Sequence, residues 1–217
     1  MLKISPEKVI FDMDGLIFDT ENLFMRELGK VMAEGGYTLT RERYVKTLGL
    51  TGEILKNTML EYYGSDYPHA EMSRKARASV DKAALNGELT VKPGIRDLLV
   101  HLKEKGIPCA VASSTHTVYV EKYLTAAGLR GYFDKVIGGE MAARSKPAPD
   151  IFLKALNGTK PVKALVLEDS ENGIKAAHAA RIPVICIPDM VYPSPECEAM
   201  TVSVVNSAAD VVNMLDV

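Results

Sequence analysis

Two carboxylates stand two positions apart in the stretch Val9-Ile10-Phe11-Asp12-Met13-Asp14-Gly15. The apolar run from Val9 to Phe11 is β-branched and aromatic, so it reads as a buried strand. Side chains at i and i+2 of an extended chain lie on the same side, so Asp12 and Asp14 can face one cavity. Gly15 permits a sharp turn just past the strand end. Carboxylates this close do not both ionise cheaply without a cation beside them. The pair therefore suggests either a metal site or an acid–nucleophile pair. An EF-hand loop fits poorly, because Gly15 comes too early and the loop would follow a strand.

Three further polar clusters stand at the ends or starts of predicted elements. Ser113-Ser114-Thr115 follows an apolar run ending at Ala112, Glu168-Asp169-Ser170 follows one ending at Leu167, and Ser145-Lys146-Pro147-Ala148-Pro149-Asp150 precedes a helix. Each has an ordinary reading when taken alone. The hydroxyls suit a helix cap, the acid pair suits a helix N-terminus, and Lys146 suits a solvated lysine in a loop fixed by prolines. Asp19-Thr20 reads mainly as a turn and cap. Gathered on one edge, the residues form a charge plan. Carboxylates bind a hard cation such as Mg2+ through oxygen, and the lysine and hydroxyls hold an anion next to it. A carboxylate can also attack a phosphoryl group to give an acyl-phosphate. The sequence has neither G-x-x-x-x-G-K-[ST] nor G-x-G-x-x-G, so nucleotide binding of those kinds has no support.

Gathering requires a particular fold. Leu23, Phe24, Leu28, Val31 and Met32 recur at helical spacing after Thr20, and Gly35-Gly36 ends that helix. Further helices are expected over 40–48, 52–63 and 68–85, so the region from about 20 to 88 reads as all-helical. From Val91 onward helices and strands alternate. Strands are expected at 107–112, 136–137, 164–167, 184–187 and 202–205, and helices at 94–105, 117–127, 150–156, 172–180 and 208–215. Such alternation implies βαβ units and a parallel sheet, whose strand ends share one edge. The expected class is α/β. Its core spans 1–18 and 89–217, and a helical cap over 19–88 is inserted directly after the first strand, where it can act as a lid.

Composition limits the function classes. The 217 residues carry a formal net charge of −2 and 47% apolar content, with no block of Lys and Arg, so a nucleic-acid partner is not expected. No run approaches the length of a membrane span, and Lys3, Glu7 and Lys8 leave no apolar leader, so a cytoplasmic protein without membrane contact is expected. Cys109, Cys186 and Cys197 are odd in number and widely spaced, which reads as reduced thiols. A monomer is expected.

The order Asp12-x-Asp14-Gly15, Ser113, Lys146, Glu168-Asp169 resembles the haloacid dehalogenase (HAD) superfamily, and FDMDGLIFDTE, SKPAPDIF and LEDSENGI resemble its β-phosphoglucomutase-like phosphatases. The resemblance covers nearly the whole chain. It implies a Rossmann-like core with a helical cap, a Mg2+ cofactor and a phospho-aspartyl mechanism. Asp12 would be the nucleophile, and Asp14 the general acid/base with its backbone carbonyl on the metal. Asp169, with Glu168 beside it, would complete the metal site. Ser113 and Lys146 would bind phosphoryl oxygens, with Ser114, Thr115 and Asn172 as supporting contacts. The substrate would be a small phosphorylated metabolite.

Two positions depart from the mutases of that branch. They carry a His where this chain has Phe24 and an Arg where it has Gly52. The expected function is therefore hydrolysis of a sugar-phosphate-like monoester. Mutase-type phosphotransfer and a non-catalytic binding protein on the same fold are the alternatives. Metal-free dehalogenation is disfavoured by Asp14 and by the Glu168-Asp169 pair.

Overall fold

The computed structural model describes residues 3–50 and 52–216. The chain forms two compact units, residues 1–19 with 90–217, and residues 20–89.

The first unit is built on six parallel strands, β1 (Lys8–Phe11), β2 (Cys109–Ala112), β3 (Lys135–Ile137), β4 (Ala164–Glu168), β5 (Val184–Cys186) and β6 (Ser203–Val204), in the spatial order β3-β2-β1-β4-β5-β6. This is the α/β class that the alternation implies. From β1 the chain winds outward through β2 and β3, then crosses back to β4 and winds the other way. The strand order thus reverses around β1, and in open parallel sheets the crevice at such a reversal is where ligands bind. All four β1 residues are buried, as are those of β2, β4 and β5, which explains their continuous apolar runs.

Ile10, Ala110, Ala112 and Val166 of the sheet share a core with Ile151, Phe152 and Ala155 of one helix and Ile174, Ala176 and Ala177 of another. The pairing Phe11–Val111 and Phe11–Leu167 brings the ends of β1, β2 and β4 level. All three cysteines are free and buried. Among the described residues no helix is long and apolar enough to cross a membrane.

Past β1 the chain makes a tight loop. Gly15 sits at φ 78°, its N–H donates to the Phe18 carbonyl at 2.9 Å, and Ile17 and Phe18 both donate to the Met13 carbonyl. The chain then leaves for the second unit and returns alongside its own exit: Asp19 N–H donates to Thr90 and Lys92 N–H to Ile17, each at 2.9 Å.

Among the described residues the second unit holds four α-helices, α1 (Thr20–Glu34), α2 (Arg41–Val45), α3 (Gly52–Tyr63) and α4 (His69–Ala83), and the first unit resumes with α5 (Ile95–Glu104) and α6 (Thr117–Ala126). α2 is shorter than its sequence pattern suggests: the chain turns at Lys46–Leu50, and Gly49 takes φ 77°. α1 buries Leu23, Leu28, Val31 and Met32, and α4 buries Met72, Ala76, Val80 and Ala83. Amid this apolar surface lies Glu27, 3% exposed. Its carboxylate accepts hydrogen bonds from Lys30 at 2.7 Å, from Arg26 at 2.8 Å and from the Ser79 hydroxyl of α4. Burial pushes its pKa up, but the bonds from Lys30, Ser79 and Arg26 outweigh burial and hold it at about 2.

A carboxyl held below its ordinary value of 4.5 stabilises the fold above that pH, and the contribution fades as pH falls towards 2. Glu27→Gln should therefore lower stability by about 1–2 kcal/mol near pH 7. The gap to the parent protein should close between pH 4.5 and pH 2. Urea unfolding of both proteins across that window checks it, and a gap that stays constant with pH would refute the assignment.

Candidate active site

Four segments meet at the carboxyl edge of the sheet. Asp12 follows β1, Ser113 to Thr115 follow β2, Glu168 ends β4 and Lys146 comes from the loop before α7 (Asp150–Leu156). Asp12 is 6% exposed, and both Ser113 and Glu168 are fully buried.

Lys146 is the hub. Its Nζ donates to Asp12 Oδ1 at 2.5 Å, to Glu168 Oε1 at 2.6 Å and to the Ala112 carbonyl at 3.3 Å. An ammonium has three protons, so all three are engaged. The ammonium also stands 4.7 Å from the centre of the Phe152 ring, which closes its inner side with apolar surface. A lysine 6% exposed would ordinarily shed its proton, but Asp12 and Glu168 outweigh that burial and raise its pKa. Lys146 stays charged.

Glu168 is fixed at both oxygens. Oε1 takes Lys146, and Oε2 accepts the backbone N–H groups of Asp169 and Ser170 at 2.8 and 2.9 Å and the Ser170 hydroxyl at 3.0 Å. The Ser170 oxygen in turn accepts the N–H of Gly173 and caps α8 (Glu171–Ala179). A side chain on Gly173 would run into the Glu168 carboxylate. A side chain on Gly15 would likewise strike the carboxylate of Asp169. These two glycines let main chain lie directly against two acids.

Asp12, Glu168 and Asp169 each offer a carboxylate oxygen, all within 4.8 Å of one another. Burial, with Glu168 and Asp14 adding to it against the pull of Lys146, pushes the Asp12 pKa up to about 8. Burial, then Glu168 and Asp12, push Asp169 well above the ordinary carboxylate range. One lysine does not balance these acids. An all-oxygen donor set with surplus negative charge fits a hard divalent cation.

Asp14 stands apart from that cluster. Its Oδ2 accepts the Ser113 hydroxyl at 3.0 Å and the Thr115 hydroxyl at 2.7 Å, and Thr115 N–H donates to Ser113 Oγ. The hydroxyls of Ser113 and Thr115, expected on a phosphoryl group, thus orient Asp14. Ser114 is exposed and Asn172 half-buried in the first turn of α8, and among the described residues neither side chain bonds to the acids. The backbone N–H groups of Met13, Asp14 and Ser114 make no hydrogen bond among the described residues, so the loops after β1 and β2 offer main-chain donors to an anion. Sequence reading passed over these donors and over Gly173, because neither carries a side-chain signature. Asn172-Gly173, in a helix where glycine is otherwise disfavoured, is the one available hint.

The family of haloacid dehalogenase-like hydrolases matches residues 9–187. Hexitol phosphatase B of Escherichia coli K12 is 34% identical over 184 residues, 82% of each chain. The phosphorylated carbohydrates phosphatase of Thermotoga maritima is 31% identical over 179 residues, 81% of this chain and 82% of its own. The crystal structure of CbbY from Rhodobacter sphaeroides in complex with phosphate superposes with a TM-score of 0.78 at 32% identity, covering 98% of this chain and 100% of that one.

Gly173 gives a prediction with a decisive sign. In a helix, alanine in place of glycine ordinarily stabilises by about 0.5–1 kcal/mol. Here the new methyl group must move a carboxylate pinned by four hydrogen bonds, at about 1–3 kcal/mol. Gly173→Ala should therefore lower the thermal midpoint, read by calorimetry. A raised midpoint would show that Glu168 yields freely.

Proposed function

The chain belongs to the haloacid dehalogenase-like hydrolases and is a phosphatase of that family, and from this we propose a Mg2+-dependent phosphomonoester hydrolase that works through a phospho-Asp12 intermediate. The observation that carries the reading is the Asp12 carboxylate, clamped by Lys146 at one oxygen and set beside Asp169. A clamped carboxylate presents its other oxygen in a fixed direction, which is what an in-line attack on phosphorus requires.

Asp12 attacks the phosphorus, and the P–O bond to the leaving alcohol breaks. Asp14 gives that alkoxide a proton. Both hydroxyls bound to Asp14 fall on Oδ2, so they set the rotation of its carboxyl and leave Oδ1 to handle the proton. Asp14 then takes a proton from water, the resulting hydroxide attacks phospho-Asp12, and phosphate departs with Asp12 restored. The main-chain donors of Met13, Asp14 and Ser114 are suited to the equatorial phosphoryl oxygens. Lys146 would contact one of those oxygens by releasing a present acceptor. Asp12 and Asp169, with the Asp14 carbonyl, would hold Mg2+. The cation supplies neutralisation of the acids and polarisation of the phosphoryl oxygens. Glu168 stands behind them, holding Lys146 and the turn into α8.

The relatives named for hexitol and for phosphorylated carbohydrates support a sugar-phosphate class of substrate. The second unit supports hydrolysis over mutase chemistry. Phe24 stacks on Tyr44 with ring centres 6.4 Å apart, and Gly52 opens α3 with empty space where a side chain would project. Neither offers the imidazole or the guanidinium fork suited to gripping a second phosphate. The cations Arg26, Lys56 and Lys75 are paired with Glu88, Glu53 and Glu71.

Asp12→Asn should lose nearly all phosphate release while keeping its fold, because an amide is a very poor nucleophile. Retention of more than a tenth of the parent rate would rule out the covalent step. Dialysis into excess EDTA should abolish turnover, and added Mg2+ should restore it. Given β-glucose 1-phosphate with a trace of the 1,6-bisphosphate, the enzyme should release more free phosphate than glucose 6-phosphate. A tenfold excess of glucose 6-phosphate would assign it to the mutases.

A further inference from the structure

One buried acid near the site has no part in the chemistry above. Asp189 lies three residues past β5, at the same edge of the sheet, and its side chain is 6% exposed. Its Oδ1 pairs with Lys92 Nζ, while its Oδ2 is buried with no partner among the described residues. A half-satisfied buried carboxylate is costly unless water or an ion completes it.

Its neighbourhood says what completes it. The point where a side chain on Gly15 would begin touches the carboxylate of Asp169 and lies 3.4 Å from the Asp189 Cβ, so the two acids flank the same glycine. Asp189 is also among the charges that raise the pKa of Asp169. Lys92, its cationic partner, is anchored by its own N–H to the Ile17 carbonyl, in the loop that carries Asp14 and Gly15. The pair thus ties the loop after β5 to the loop after β1.

Mg2+ dehydrates reluctantly and keeps several waters when carboxylates bind it, and each such water needs acceptors. Groups in that outer layer orient the inner ligands and shift affinity by about 10–100-fold. We propose that Asp189, oriented by Lys92, is an outer-layer positioning residue for the cation held at Asp12 and Asp169, with Oδ2 as the acceptor for a cation-bound water. The inference rests on the Mg2+ site proposed above and extends it by one acid and one base. Lys92 in this role is a restraint on affinity: it draws off part of the negative charge that Asp189 would otherwise present to the cation.

Two substitutions then act in opposite directions. Asp189→Asn removes the charge and should weaken Mg2+ binding by about 10–100-fold. Lys92→Met leaves the carboxylate uncompensated and should tighten Mg2+ binding severalfold. An ion pair that merely braces the fold would lower the thermal midpoint in both variants and move affinity in the same direction or not at all.

The test is a Mg2+ titration of the phosphate-free full chain by calorimetry, with the thermal midpoint followed against Mg2+ concentration as a second reading. Weaker binding in D189N with tighter binding in K92M sustains the proposal. Binding within twofold of the parent in D189N, or weakening in both, overturns it. Should D189N fail to fold, K92M decides alone: tighter binding sustains the proposal, equal or weaker binding overturns it. A parent protein that binds no Mg2+ removes the metal site itself and this inference with it. A parent that binds while D189N is unchanged removes only the role of Asp189.

Discussion

The site depends on one buried cation held between two buried anions. Lys146 joins the end of β1 to the end of β4 through Asp12 and Glu168, and reaches the end of β2 through the Ala112 carbonyl. Removing any one of the three charged groups would strand the others in a place that water barely reaches, so each is held by the rest. Such a cluster is poor evidence of stabilisation as such. Apolar residues filling the same volume could stabilise the fold as well or better. Its presence at the strand-order reversal is better explained by what it orients, which is the direction of the Asp12 carboxylate.

The arrangement leaves negative charge unbalanced on one side only. On the Lys146 side, Glu168 has every oxygen occupied. On the other, burial first and neighbouring acids second work against the charged forms of Asp12 and Asp169, and for Asp12 only Lys146 opposes them. A divalent cation placed there would favour the charged form of both, the form in which Asp12 could attack phosphorus as proposed. On the proposed mechanism, metal binding and nucleophile activation would be one event, and the glycines at 15 and 173 matter because they let main chain approach the acids without displacing them.

Much of this was legible in the residues. The apolar runs at 9–11, 109–112 and 164–167 lie deep in the sheet and carry the period of buried parallel strands, so their polar ends could be located from sequence. α3 and α7 span the residues that the sequence pattern assigns them, Gly52–Tyr63 and Asp150–Leu156. What sequence could not supply was direction. Nothing in Ser113-Ser114-Thr115 says that the first and third hydroxyls turn to Asp14 while the second stays exposed, because that choice depends on the register of β1 against β2. Nor could it reveal Asp189, whose neighbours Lys92 and Gly15 are distant in sequence and meet through the sheet. The short helix α9 (Pro195–Glu198) also escaped notice, since four residues carry too little periodicity to register.

The hydroxyl pair on Asp14 bears on a division of labour that composition leaves open. If Asp14 is the acid/base proposed and Ser113 and Thr115 hold it, the phosphoryl oxygens must look mainly to backbone donors, to Lys146 and to the cation. Main-chain N–H groups survive every substitution but proline and cost no side-chain entropy to order, so they suit a group common to all phosphomonoesters. They carry no information about the rest of the substrate. Selection among leaving groups must then come from elements outside the strand ends. The second unit has its own core around α1 and α4 and its own buried polar link at Glu27, so its surface residues can change without disturbing the geometry of Asp12, Asp14 and Lys146.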